Sequence, residues 1–588
     1  MAFLEPSSFW EGNGDSAVTS VLGFLIILAP LVIVHEFGHF LFAKLFKVKA
    51  EAFSVGFGPR LFKKQVGETE FRVSAIPLGG YVKLLGEEPG QELPPELKHR
   101  SLQAQAPWKR FFIFFGGPLF NFLFAIVVFM AILAIGEPQL ANTVGRVEQG
   151  SYAESEGFQP GDRILEINGE KIKRYKEFLL AVNAAPGKTL NLKVLRKDKQ
   201  TPIDLEVKTQ KEIGYTIYGE EKFVGVIPGL SPVAKSPTIG VSDPKSVAGQ
   251  NGLETGDRVI QWENQSIQSF YELEKAYQNE TAPIVSVVLQ KSAESDQKKV
   301  VSLKLPKKKI SLDKDLGIFS SELFIRKTVS DSPAANAGLQ EGDRFISIGG
   351  SVVNSFDELK ETIQKATKEN LKQLELEQGK TSETAMKAQA ETETSEIKPQ
   401  VPVQWERNGK RMEAMLTPQA NQSRDPSLRK QVTYTIGIMP YMVLAKPETV
   451  VEREWNPFLL LAKGTFRMLE FSWRNLVSIG KMVTGDVSVA TLGGPILIGK
   501  IAGDSLERGL IAFLTTMAIL SVGLGILNIL PIPVLDGGHI LLLGVEAIRG
   551  KPLTLKQMEL VQQVGLSLIL LLMVVVMRND ITRLPLFN

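Results

Sequence analysis

Five consecutive residues, His35-Glu36-Phe37-Gly38-His39, have the types and spacing of a metal-assisted hydrolytic site. Residues four apart on a helix project from one face, so His35 and His39 can share a metal ion while Glu36 lies beside them as a general base. The pentapeptide sits in an apolar stretch, residues 17–46, where ionisable groups are costly unless paired or functional. A catalytic zinc takes three protein ligands and one water, so a third donor must come from elsewhere. The chain has no Cys and four His. His99 falls in a polar loop, which leaves the carboxylates and His539. One apolar neighbourhood supplies both, Asn528-Ile529-Leu530-Pro531-Ile532-Pro533-Val534-Leu535-Asp536-Gly537-Gly538-His539. Its two prolines break a helix, and irregular backbone at membrane depth is tolerated only around a protein-lined cavity. Asp536 is the expected third ligand. His539, just inside the following helix, is its rival and better suits packing.

These groups need elements that cross a bilayer. Segments 17–46, 111–136, 508–545 and 557–577 are each long enough to span about 30 Å of hydrocarbon, so the expected fold is a polytopic α-helical membrane protein of four transmembrane helices. The first is not expected to be a cleaved signal peptide, because Glu5, Glu11 and Asp15 stand where basic residues should. The tail 1–16 has no Lys or Arg, whereas Lys47, Lys49, Arg60, Lys63, Lys64 and Arg72 are among those crowding residues 47–110. The positive-inside rule then makes 47–110 cytoplasmic, the N-terminus extracytoplasmic, and the long insert before the third span extracytoplasmic; the short tail 578–588, with Arg578 and Arg583, weakly opposes this. His35 precedes Lys44, and Asn121 follows Arg110, by similar lengths of helix, so both lie roughly 14–17 Å from the cytoplasmic charges at about 1.5 Å per residue. With 67 Lys+Arg against 64 Asp+Glu, no basic excess is available to neutralise nucleic-acid phosphates. The missing Cys removes thiolate metal sites, iron–sulfur clusters, cysteine nucleophiles and disulfides together.

The insert repeats itself. Gly-Asp-Arg recurs at Gly161, Gly256 and Gly342, each with a Gly four residues earlier (Gly157, Gly252, Gly338) and an Ala four before that (Ala153, Ala248, Ala334). Apolar alternation, a helical stretch and a strand pair follow each copy. The pattern resembles tandem bacterial-type PDZ domains, here expected at 140–230, 231–323 and 324–443, with ligand loops around Gly225, Gly317 and Gly437. The third is about thirty residues longer than the others. The surplus, near 366–399, reads as a solvated helix or a disordered insertion. Residues 455–485 mix aromatics with Lys463, Arg467, Arg474 and Lys481 and read as an interfacial amphipathic helix.

HEFGH, Gly117-Pro118-Leu119-Phe120-Asn121 and NILPIPVLDGG together resemble the three signatures of site-2 intramembrane metalloproteases, and the modules make the chain similar to the bacterial regulator-of-sigma-E protease group. The resemblance implies a Zn²⁺ held by His35, His39 and Asp536, a water activated by Glu36, a substrate-positioning or oxyanion role for Asn528 and a supporting role for Asn121. It implies a bacterial cytoplasmic membrane, with the lipid bilayer and single-span transmembrane proteins as partners after a first cut by another protease. The modules invite two readings, binding of a peptide's C-terminal carboxylate by their Gly loops or exclusion of untrimmed substrates by bulk, and the resemblance implies the second. That group commonly carries two modules, whereas three are expected here. Residues 68–87, around Gly79-Gly80-Tyr81-Val82, resemble the family's membrane-associated hairpin, and are either an edge that pairs by β-augmentation with unwound substrate or an ordinary cytoplasmic hairpin. A catalytically silent membrane scaffold is the alternative; a transporter has only the intramembrane charges and broken helices in its favour.

Overall fold

The computed structural model describes residues 15–582, apart from 88–92, 198, 216–220, 292–296, 378–397, 425–429, 486, 488 and 552. Most of the expected tails 1–16 and 578–588 and most of the 366–399 insertion lie outside these. The chain forms two compact units, one from Met1–Pro138 with Val451–Asn588 and the other from Gln139–Val450.

In chain order, helix α1 (Asp15–Leu45) leads into two long strands, β1 (Ala50–Val66) and β2 (Thr69–Leu84), and then α2 (Pro107–Ile135). The second unit contributes α3 (Tyr175–Asn183), α4 (Phe270–Asn279) and α5 (Phe356–Glu377). The chain continues through α6 (Pro457–Thr484), α7 (Pro495–Glu507), α8 (Leu510–Ile529), α9 (Asp536–Arg549) and α10 (Leu555–Thr582). Four of these helices are long and apolar enough to cross a membrane: α1, α2, α8 and α10. The segment read as one span over 508–545 is two helices. Pro531 and Pro533 cannot donate to a helical ladder, and the six residues between α8 and α9 cross the break.

Glycine brings α1 and α2 into backbone contact. A Cβ on Gly38 would lie 2.1 Å from the Gly116 carbonyl oxygen, and one on Gly116 would lie 2.6 Å from that of Gly38. On another face of α1, Ala502 and Gly503 of α7 approach Gly23 and Ser20 in the same way. The N-terminus of α7 is capped from α10: buried Asp580 accepts the N–H groups of Gly494 (2.8 Å), Ile496 (3.0 Å) and Leu497 (3.2 Å). Helix α6 buries Gly464 and Met468 and stacks Phe471 on Phe129 of α2. The insert leaves and rejoins this unit at one place, where a Cβ on Gly136 would sit 2.6 Å from Val451 and the Glu454 N–H donates to the Leu133 carbonyl (3.0 Å).

In the second unit one pattern occurs three times: a short helix, a four-stranded antiparallel sheet, a longer helix (α3, α4 or α5) and a closing strand. Each copy has its own apolar core. The repeated motif is structural. Ala153, Ala248 and Ala334 are fully buried, and the six repeated glycines all take positive φ. The buried Asp of each tripeptide caps a turn and pairs with a distant cation: Asp162 with Arg196 (2.9 Å), Asp257 with Lys291 (3.1 Å) and Asp343 with Arg407 (2.7 Å). The closing loops correct one expectation. Gly317 and Gly437 take φ +73° against the Ser246 and Ser332 side chains. In the first module Gly229 (φ +83°, against Ser151) repeats that geometry, while Gly225 lies inside the strand Glu221–Val226.

Candidate metal centre

His35 and His39 face inward from α1 with their Nε2 atoms 3.2 Å apart. Asp536, the first residue of α9, points its carboxylate between them, Oδ2 at 3.3 Å from His35 Nε2 and Oδ1 at 3.5 Å from His39 Nε2. Tetrahedral zinc with bonds of about 2.0–2.1 Å separates its ligands by about 3.3 Å, so the triangle has the size the ion needs. The tautomers agree. The His39 Nδ1–H donates to the Ile113 carbonyl at 2.8 Å, which turns the Nε2 lone pair inward. His35 Nδ1 lies 3.1 Å from the Asn121 side-chain nitrogen, while Asn121 Oδ1 is buried without a partner among the described residues. Turning that amide over lets Oδ1 accept from His35 Nδ1–H and frees the second lone pair. Two imidazole lone pairs and a carboxylate then converge, and a cation is what satisfies all three.

Each neighbour leaves room for this arrangement. A Cβ on Gly117 would fall 2.4 Å from His39 Nε2 and 2.6 Å from His35 Cε1, so only glycine at that point of α2 admits both rings. Pro118 interrupts the helical ladder in the same turn, where the Ile113 carbonyl serves His39. Ser521 of α8 donates to the Asn121 carbonyl at 2.8 Å and ties the two helices together. The link from α8 to α9 is strained: Val534 has φ +82°, rare for a β-branched residue. Gly537 and Gly538 allow the turn to close, since a Cβ on either would meet carbonyl oxygens at 2.2 and 2.4 Å. Asp536 thereby starts a helix, where the N-terminal dipole favours a carboxylate. Arg110 of α2 reaches Glu546 at the far end of α9 (3.1 Å), and His539 stacks on Phe114 (4.6 Å, 7°). His539 is thus a packing residue outside the triangle, and Asp536 completes the metal-competent group.

Glu36 and Asn528 stand at the rim. Asn528 Nδ2 is 3.4 Å from His35 Nε2. The Val82 backbone N–H meets the Glu36 carboxylate, and a Cβ on Gly80 would lie 3.0 Å from Glu36 Cγ. Residues 50–55 of β1 lie between 80–84 and 70–73 of β2, with Phe53 opposite Val82 on one side and Phe71 on the other. Residues 80–84, which include Gly80, Tyr81 and Val82, therefore form an outer strand beside Glu36, with Gly79 at its start. The loop glycines Gly225, Gly317 and Gly437 belong to the other unit.

The model of peptidase family M50 matches residues 23–572. The chain belongs to this family. Among the relatives of this M50 chain, the regulator of sigma E protease of Haemophilus influenzae is 28% identical over 97% of this chain and 100% of its own. The regulator of sigma-E protease RseP of Escherichia coli is 27% identical over 97% and 100%. A solved PDZ domain protein from Parabacteroides distasonis aligns with 51% of the M50 chain and 99% of its own at 11% identity, but a TM-score of 0.11 gives that overlap no weight.

Proposed function

We propose that this protein is a zinc-dependent intramembrane endopeptidase of a bacterial cytoplasmic membrane, cutting the transmembrane segments of single-span proteins after another protease has trimmed them. Trimmed anti-sigma factors and remnant signal peptides are the substrate classes. The observation that carries the reading is the triangle of His35, His39 and Asp536 with Glu36 beside it, on elements that belong to an apolar helical unit. His35, His39 and Asp536 would hold a zinc ion, which would polarise the scissile carbonyl and lower the pKa of its bound water to about 7. Glu36 accepts the proton of the attacking water and returns it to the departing amine, so that water and a peptide bond become an acid and an amine. Asn528 offers its amide N–H to the oxygen that gains charge, and Asn121 holds the His35 ring.

A transmembrane helix hides its carbonyls in its own hydrogen bonds, so the substrate must be extended before attack. The outer strand 80–84 supports capture by β-augmentation directly beside the base. The Lys- and Arg-rich segment 47–110 favours a cytoplasmic position for this hairpin and an extracytoplasmic one for the insert, whose PDZ-like modules act as a size filter. A silent scaffold would have no use for two histidines and two carboxylates converging in an apolar unit. The test compares the detergent-purified protein with Glu36→Gln on a model single-span substrate. Near-stoichiometric zinc in both, with cleavage by the unaltered protein alone, is expected; equal cleavage by the variant would reject the assignment.

A further inference from the structure

Helix α9 carries Asp536 at its first residue, and residues 530–535 form no helix that could carry the orientation of α8 across to it. They turn at Val534 (φ +82°) and close on Gly537 and Gly538. What α9 lies against must therefore help to set its position. Asp536, His539, Leu543 and Glu546 follow at three- and four-residue spacing and share one side of the helix. Arg110, Phe114, Gly117 and Asn121 do the same on α2. The two stripes run antiparallel: Asp536 meets the histidines that sit over Gly117, His539 stacks on Phe114, and Glu546 meets Arg110.

These contacts differ in what they fix. Stacked rings slide past one another at little cost. An ion pair with hydrogen-bonding geometry fixes both how far α9 has slid along α2 and how it is turned about its own axis. Arg110 Nη1 lies 3.1 Å from Glu546 Oε2 and 3.3 Å from Oε1, and both side chains are half-buried, where water screens the attraction less. The metal triangle tolerates little movement. A slide of one residue carries Asp536 about 1.5 Å along the axis, several times the roughly 0.2 Å tolerance of a metal–ligand bond.

We propose that Arg110 and Glu546 are positioning residues of the metal centre. Their ion pair sets the slide and rotation of α9 on α2, and so brings the Asp536 carboxylate to bonding distance from an ion held by His35 and His39. This inference rests on the zinc reading of the triangle and is independent of which substrate is cut.

The test uses the full-length protein in detergent and reads two quantities, zinc affinity by chelator competition and the visible absorption of Co²⁺ bound in place of zinc, which reports the ligand set. Arg110→Glu and Glu546→Arg should each weaken zinc binding by about tenfold or more and shift the cobalt spectrum as Asp536→Ala does. The double variant R110E/E546R, with the pair reversed, should recover the original spectrum and an affinity within about threefold of the original. Breaking the Arg100–Glu68 pair of the same unit with Arg100→Gln should change neither quantity. Where a charge reversal does not fold, Arg110→Met and Glu546→Gln are read instead, with the same losses expected. A lower thermal midpoint with affinity and spectrum unchanged would make the pair an ordinary structural bond and overturn the proposal. Losses that the double variant does not recover would overturn it as well. If the unaltered protein binds neither metal, the zinc reading itself fails and the proposal falls with it.

Discussion

His35 depends on Asn121 for its tautomer, and His39 on the carbonyl of Ile113, so two bonds outside the ligand triangle decide whether the triangle can hold zinc. Replacing Asn121 with Leu should weaken zinc binding about 10–100-fold, the usual effect of losing a partner of a metal-bound histidine. Chelator competition would measure it, and Glu36→Gln, which removes none of the three candidate ligands, should leave the affinity near its original value. Gly117→Ala should be harsher, because the added methyl occupies the space of both imidazoles; zinc content should fall with helical circular dichroism unchanged. The candidate group was legible in the sequence because its chemistry resides in side chains: His35, Glu36 and His39 at helical spacing, and Asp536 beside the proline break. Neither the Ile113 carbonyl nor the hollow at Gly117 could be read that way. A backbone acceptor has no residue signature, and a missing side chain acquires meaning only when a neighbouring helix arrives.

At the level of elements, α1, α2, α8, α9 and the β1–β2 hairpin each contribute one part of the site, and close backbone approaches hold several of them in place. Gly38→Ala would force α1 from α2, since its Cβ cannot share space with the Gly116 carbonyl. Cleavage should drop at least tenfold, with a lower thermal midpoint measured on the same sample. Val82→Pro cannot by itself test strand capture, because it also removes the N–H that meets Glu36. The absence of native Cys offers a cleaner route. Lys83→Cys should form disulfides with cysteines placed at alternate positions along a substrate segment, following the two-residue period of a strand; crosslinking without that alternation would reject pairing at this edge. The prolines at 531 and 533 were legible as a break with a helix following it, but the strained Val534 and the start of α9 at Asp536 were not, because propensity marks where a helix stops and tertiary contacts decide where the next begins. The misplaced loop glycine has a similar origin. Val224-Gly225-Val226 matches the local pattern, and only the serine contact reveals Gly229 as the equivalent position.

For the whole molecule, the insert is an autonomous body by its own three cores. Excising residues 141–447 and closing the gap with a short Gly/Ser linker should leave zinc content intact and permit cleavage of untrimmed substrates in reconstituted vesicles. Persistent rejection of those substrates would count against the size filter. That operation is feasible because Gly136 and Val451 touch. The adjacency also bears on how such a chain can change length. The entropy of closing a loop between two fixed points rises only about 0.6 kcal/mol per doubling of its length, so inserting or losing one complete module at this junction perturbs the helices scarcely more than lengthening a surface turn. A descendant could therefore acquire a new recognition surface in a single duplication, with the hydrolytic centre shielded from the event.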